Sequence, residues 1–278
     1  MPTPRIKKKR REAKLKALAE RLGVIFTGVV ITLAGLVFVL RLDGLTINTV
    51  IIENEEGVLD FEDLKEQINE TLSGSYVFLP KRNIFIFPED ELERTLEIKF
   101  PRIGSVEIER DDLETLRIFI EEREPTALWC GEEPEEEQER RCFYVDDKGI
   151  IYSKAPSFSD DVFFRYYGGG VSIKDPLMSE VLPEEKITEM KEFVLHLQEM
   201  NLNPRAAFIK EEEFEIFLGK DSKLYLSNYE SIEESFSRLN NLIKGSETNF
   251  ISDQGPEFSY IDLRFGKRVF YKMKDDDE

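Results

Sequence analysis

Hydrophobic spacing along this chain changes character twice. Leu22–Leu40, LGVIFTGVVITLAGLVFVL, is an unbroken uncharged run of nineteen residues. As a helix it is roughly 28 Å long, close to the hydrocarbon thickness of a bilayer. The run continues RLDGL with no small-x-small cleavage site, so it predicts a membrane span rather than a cleaved signal peptide. Mixed patterning then begins. Thr46–Glu53 is β-rich. Asp60 has the chemistry of an N-cap, with Glu62 and Asp63 in the first turn and Phe61, Leu64, Ile68 and Leu72 on one helical face. Ser73-Gly74-Ser75 closes that helix, and the apolar stretch Tyr76–Phe87 follows. Pro88 suits the start of a second helix, with Leu92 and Leu96 inward and a stop at Phe100-Pro101. Ile103–Glu109 and Thr115–Glu122 predict two strands, joined around Asp111-Asp112. The order β-α-α-β-β predicts one sheet with two helices on a face.

From Pro125 to Lys272 the pattern predicts a mostly antiparallel β region with two helical insertions. Strands are expected at Cys142–Asp146, Gly149–Tyr152, Phe208–Gly219 and Lys223–Leu226. The helices are expected from Pro183 to about Met200, with Ile187, Met190, Val194 and Leu197 inward, and over Ser231–Lys244. In the second, Ile232, Phe236, Leu239 and Ile243 face inward and Gly245 serves as the C-cap.

Charge adds an orientation. The whole chain carries −19. Residues 1–22 hold nine basic and two acidic residues, a net of +7, so everything from Arg41 onward carries −26. A basic flank before a span holds the N-terminus in the cytoplasm and places the acidic body outside. A body that acidic repels phosphate backbones, which argues against nucleic acid as a partner. One His and two Cys are too few soft ligands for a zinc site within the chain.

Candidate chemistry is sparse. Gly168-Gly169-Gly170 lacks both GxxxxGK[ST] and GxGxxG surroundings and predicts a plain turn. His196 lies off the inward stripe of its helix with no nucleophile or orienting acid in its motif. The Glu-rich stretch 132–139 has no apolar neighbours to shift a pKa and no EF-hand spacing, so it is expected to be a solvated loop. No catalytic residues, metal ligands, cofactor or small-molecule substrate are expected. Cys130 and Cys142 are an even pair flanking that loop on a body placed in an oxidising compartment, and are expected to form a disulfide.

At the end of the chain, Tyr260–Phe265 alternates, with Ile261, Leu263 and Phe265 on one face and Tyr260, Asp262 and Arg264 on the other. Gly266-Lys267 fits a two-residue hairpin turn with Gly first. Arg268–Lys272 returns with Val269 and Tyr271 on one face and Phe270 on the other. Nothing strand-like follows, so this last strand is expected to keep an unpaired edge, a template for another chain.

The segment Phe100–Trp129, FPRIGSVEIERDDLETLRIFIEEREPTALW, resembles the bacterial cell-division family FtsQ/DivIB. The matching positions are Phe100, Pro101, Val106, Arg110, Thr115, Leu116, Glu122, Arg123, Pro125, Ala127 and Trp129. Tyr144–Tyr152 (YVDDKGIIY) and Tyr260–Phe265 (YIDLRF) resemble two further strands of that family, although Phe265 stands where a Tyr is usual. The resemblance implies a basic cytoplasmic tail (1–21), a transmembrane helix (22–41), a POTRA domain (42–124), an FtsQ-type β domain (125–272) and an acidic tail (273–278). It implies a non-enzymatic scaffold in the cell membrane at the division septum, partnering FtsB- and FtsL-like bitopic coiled-coil proteins. It also implies partner binding through Phe265, Arg268, Val269, Phe270 and Tyr271. The alternatives are a POTRA-bearing assembly or secretion factor and a membrane-anchored envelope hydrolase.

Overall fold

The computed structural model describes residues 4–54, 61–134, 141–158 and 162–274. The chain is mixed α+β and divides into two compact units, Met1–Lys99 with Ser105–Glu121 and Phe100–Gly104 with Glu122–Glu278.

The first unit opens with α1, Pro4–Leu40, in which the basic tail and the apolar run form one continuous helix. Glu20–Leu40 is long and apolar enough to cross a membrane, and none of it is buried. A 3-10 turn at Asp43–Leu45 leads to β1 (Thr49–Asn54). The proposed Asp60 cap lies outside the described residues. Helix α2 (Phe61–Thr71) buries Leu64 and Ile68, and Leu72 is buried just beyond its end. Phe61 does not join them: it opens the helix a turn before the packed stretch and is exposed, while Gln67 and Thr71 take the extra inward places. A short hairpin follows, β2 (Ser75–Tyr76) with β3 (Leu79–Pro80). Helix α3 (Glu89–Lys99) starts directly after Pro88 and buries Leu92 and Leu96. Strands β4 (Ile103–Arg110) and β5 (Thr115–Glu122) complete a three-stranded sheet of order β1-β5-β4, with β1 parallel to β5.

The second unit contains β6 (Ala127–Trp129), β7 (Phe143–Val145), β8 (Ile151–Lys154), β9 (Arg165–Gly168), α4 (Glu184–Glu199), β10 (Ala206–Ile209), β11 (Glu213–Phe217) and β12 (Lys223–Ser227). Helix α5 (Ile232–Gly245), the small pair β13 (Ile251–Ser252) and β14 (Gly255–Pro256), and then β15 (Phe258–Phe265) and β16 (Arg268–Met273) complete it. Nine of these strands form one sheet of order β16-β15-β12-β11-β10-β9-β6-β7-β8. Antiparallel pairing predominates, but β6–β9, β9–β10 and β12–β15 are parallel. The helices explain two of these junctions. Helix α4 carries the chain from β9 to β10 and α5 from β12 to β15, and a parallel pair needs such a crossover. The expected single strand Phe208–Gly219 is instead two, because Lys210 N–H donates to the Glu213 carbonyl at 2.9 Å and turns the chain. Ser231 caps α5 by accepting the Glu233 amide, and Ser246, not Gly245, follows as its C-cap.

Period-two alternation sends neighbouring residues to opposite faces of this sheet. On β6, Ala127 and Trp129 enter the main core with the inward residues of α4 and α5, while Leu128 and Cys130 enter a smaller aromatic cluster. Gly168 and Gly169 are packing glycines. Their φ values are +73° and +76°, and an added Cβ would meet the carbonyl oxygens of Ile209 and Val181 at 2.3 and 2.6 Å.

Candidate functional site

The last hairpin has β15 on its inner side and β16 at the end of the sheet. Gly266, at φ +59°, supplies the turn conformation that side chains resist. Ile261 and Leu263 are fully buried, so this strand is anchored in the core. A register shift between Asp262 and Phe265 then changes the facing of the strand end. Phe265 therefore leaves the Ile261/Leu263 face on which simple alternation places it. It is half exposed, with its ring 5.5 Å from and edge-on to Phe270. Tyr271 lies across from Ile261, and its ring meets buried Phe250 at 4.9 Å. Val269 and Met273 pack against the same core. The expected site residues thus divide: Phe265 and Phe270 form an outer aromatic pair, Val269 and Tyr271 cover the core, and Arg268 stands exposed beside the turn.

Backbone geometry decides what the edge offers. The Lys274 amide donates to the Glu257 carbonyl at 3.0 Å, toward β15. Alternation along an antiparallel strand then turns the amides of Lys272, Phe270 and Arg268 toward β15 and those of Met273, Tyr271 and Val269 outward. Among the described residues no strand pairs with that outer side.

Behind the hairpin runs a charge ladder that sequence reasoning missed. Arg264 binds Asp262 on its own strand and Glu213 two strands away on β11. Glu213 also takes Lys210 at 2.9 Å, and Glu215 takes Lys210 and Lys223 at 2.9 and 2.7 Å. The Arg264 guanidinium lies 5.1 Å from the Tyr225 ring centroid. Hydrogen bonding to Asp262 raises the Arg264 pKa further. Burial pushes Glu213 and Glu215 upward, but their Lys and Arg hydrogen bonds outweigh it and hold both below the usual carboxylate value. The Asp-x-Arg spacing in DLR, with both side chains on one strand face, was the available signal.

Elsewhere the singled-out residues have structural work. Cys130 and Cys142 are joined in a disulfide. Arg123 forms a buried ion pair with Asp146, whose carboxylate also accepts the amides of Lys148 and Ile150 at 3.0 and 2.8 Å. Trp129 Nε1 donates to the Gly168 carbonyl at 3.0 Å. His196 is half exposed on α4, stacked 4.5 Å from Phe236 and 3.4 Å from Glu199. Glu132 accepts the Ile173 amide at 3.2 Å, whereas Glu135, Glu136, Glu137 and Glu139 lie outside the described residues, as does the tail end 275–278. Among the described residues no three His, Cys, Asp or Glu side chains gather as a metal-binding group.

No protein-family model matches the chain, and no curated protein matches it.

Proposed function

We propose that this chain is a non-enzymatic, single-span membrane scaffold that docks partner proteins by strand addition on β16. The resemblance to FtsQ/DivIB gives the reading its content: a POTRA-like first unit, a β domain, and a place in the division machinery linking early and late components through FtsB- and FtsL-like partners. The observation that carries it is the bare outer edge of β16. Its outward amides at Val269, Tyr271 and Met273 offer a ladder, and the exposed rings of Phe265 and Phe270 offer an apolar surface beside it. Lys272 and Arg268 favour an acidic incoming segment.

The test is capture of short bitopic coiled-coil proteins by the full-length chain from detergent-solubilised membranes. Val269→Pro deletes an outward donor while leaving the inward β15 ladder intact, so it should abolish capture with the fold preserved. Phe265→Ala and Tyr271→Ala should weaken it. Full capture by the proline variant rules out strand addition. The +7 flank before Leu22 supports a cytoplasmic N-terminus in this reading. After reduction of the disulfide, a membrane-impermeant thiol reagent should label Cys130 and Cys142 in intact cells; labelling only after lysis overturns that orientation.

A further inference from the structure

Where α1 ends, the first unit displays apolar side chains that no packing explains. Tyr76↔Leu79 pairing makes Val77 and Phe78 the two central residues of the β2–β3 turn. Val77 is 85% exposed and Phe78 66% exposed, with Tyr76 and Phe85 also exposed nearby in sequence. Val77 adopts φ +48°, the left-handed region where a hairpin turn ordinarily places Gly or Asn. A β-branched side chain is the least suited to that backbone, and the chain keeps it at the most exposed point of the turn. Strain of this kind persists where a function holds it.

The position of the tip supplies the reason. Arg41, the first residue beyond the apolar run, donates from Nε to the Phe78 carbonyl at 2.7 Å. Asn83 Nδ2 donates to the Leu40 carbonyl at 2.8 Å, and its Oδ1 accepts the Phe85 amide at 2.9 Å. The tip itself and the segment just beyond the hairpin are therefore tied to the end of the span. The tip lies within one arginine side chain of the point where the helix leaves the bilayer. Aromatic rings with polar neighbours favour that interfacial layer. Lys81, 5.6 Å from the Tyr76 ring centroid and paired with Glu91 at 3.2 Å, sets a polar pair beside the tip.

We propose that the β2–β3 tip is a second membrane attachment: Tyr76, Val77 and Phe78, with Phe85, enter the headgroup–acyl boundary of the same bilayer that Glu20–Leu40 crosses. The occupant of this apolar surface is lipid. Two-point attachment fixes the tilt of the first unit on the membrane, which a single helix exit does not. The inference rests on the membrane-span reading of α1.

Full-length protein carrying Val77→Cys is labelled with an NBD fluorophore, the native cysteines being held in their disulfide, and reconstituted into phosphatidylcholine–phosphatidylglycerol vesicles. Ile98→Cys, exposed on α3, serves as the comparison site. The Val77 probe is expected to emit at shorter wavelength and to be quenched by lipids bearing a nitroxide just below the headgroup, with the Ile98 probe remaining water-like. Flotation separates the two readings. Protein that floats with the vesicles while the Val77 probe stays water-like and unquenched overturns the second attachment but not the span. Protein that fails to float overturns both. Equal quenching at Val77 and Ile98 also overturns it, since the whole unit would then lie against the bilayer. Phe85→Cys carries the same expectation and covers a failure of the Val77 variant to fold.

Discussion

The two ends of the nine-stranded sheet are finished in different ways. At one end β8 is covered: Ile151 N–H donates to Ser179 and Met178 N–H to Ile151, at 3.0 and 2.7 Å, and Val181 N–H reaches Gly149 at 2.9 Å. The segment from Met178 to Val181 thus occupies the outer side at the start of β8, where another chain would begin to pair. At the other end β16 has no such strap among the described residues, and its outward amides stand beside exposed aromatic rings. Uncovered edges invite pairing, and proteins usually blunt them. This chain covers the start of one edge with its own backbone, whereas at the other the described residues offer charged side chains such as Lys267, Arg268 and Lys272. The difference is the argument for treating β16 as a site: the same sheet displays both solutions.

The largest expected effect concerns what holds the covered end together. Arg123 and Asp146 are nearly inaccessible, and Asp146 shapes the turn into β8 through the Lys148 and Ile150 amides. Arg123→Ala leaves a buried carboxylate without its cation and is expected to cost about 3–5 kcal/mol, read from the denaturant midpoint of the full-length protein in detergent. A loss below about 1 kcal/mol would mean the pair behaves as a solvated surface bridge. Next comes the disulfide, which ties the end of β6 to the start of β7 across a separation of 12 residues. Replacing both cysteines by serine should lower stability by about 3 kcal/mol. Neither change reaches β16, so partner capture should survive wherever the fold does. Capture lost in a folded disulfide-free variant would break the distinction between the two ends.

Much of this arrangement is legible in the sequence, and the rest fails for definable reasons. Helical stripes such as Ile187, Met190, Val194 and Leu197 are visible because burial on one face imposes a period. Strand Thr115–Glu122 is visible because Leu116, Ile118 and Ile120 recur at every second position and are buried. Strand order is not visible. Local patterning holds no record that α4 and α5 carry the chain between parallel neighbours, since the pairing is decided by partners far away in sequence. The terminal hairpin is readable down to its turn, yet simple alternation puts Phe265 on the wrong face. One extra residue in a register reverses every facing beyond it, and a bulge has no composition signal here. The Arg264–Glu213 rung spans 51 residues of sequence, beyond any periodicity.

A smaller effect on stability sharpens the comparison at the bare edge itself. Phe270 is half exposed on the outer face, so Phe270→Lys should change stability by no more than about 0.5 kcal/mol. It removes half of the Phe265–Phe270 pair while keeping the sign of charge that Arg268 and Lys272 already present, so lost capture reports the aromatic contact rather than repulsion. Capture of the partner should fall strongly while the denaturant midpoint stays. Undiminished capture would show that backbone pairing alone suffices.

The smallest effect is the pH response of the ladder behind that edge. Glu213 and Glu215 have folded pKa values held below the ordinary one, with burial opposing and hydrogen bonds from Lys and Arg prevailing. A depressed carboxylate pKa means that the folded state favours the ionised form. The resulting stabilisation is present above the unfolded value of about 4.3 and is lost as pH falls through it toward the lower folded value. Both residues lie on β11, and Glu213 reaches across β12 to Arg264 on β15. Protonation therefore loosens the rung that ties the hairpin-bearing strand to the sheet interior, while the strap over β8 consists of neutral backbone bonds. Denaturant midpoints of the wild type should fall between about pH 5 and pH 3, and less steeply in Glu213→Gln/Glu215→Gln. Because these side chains are partly solvated, the difference should be modest. Parallel acid limbs in the two proteins would assign the acid response to other carboxylates and leave the bare edge supported by its buried apolar anchors, Ile261 and Leu263, alone.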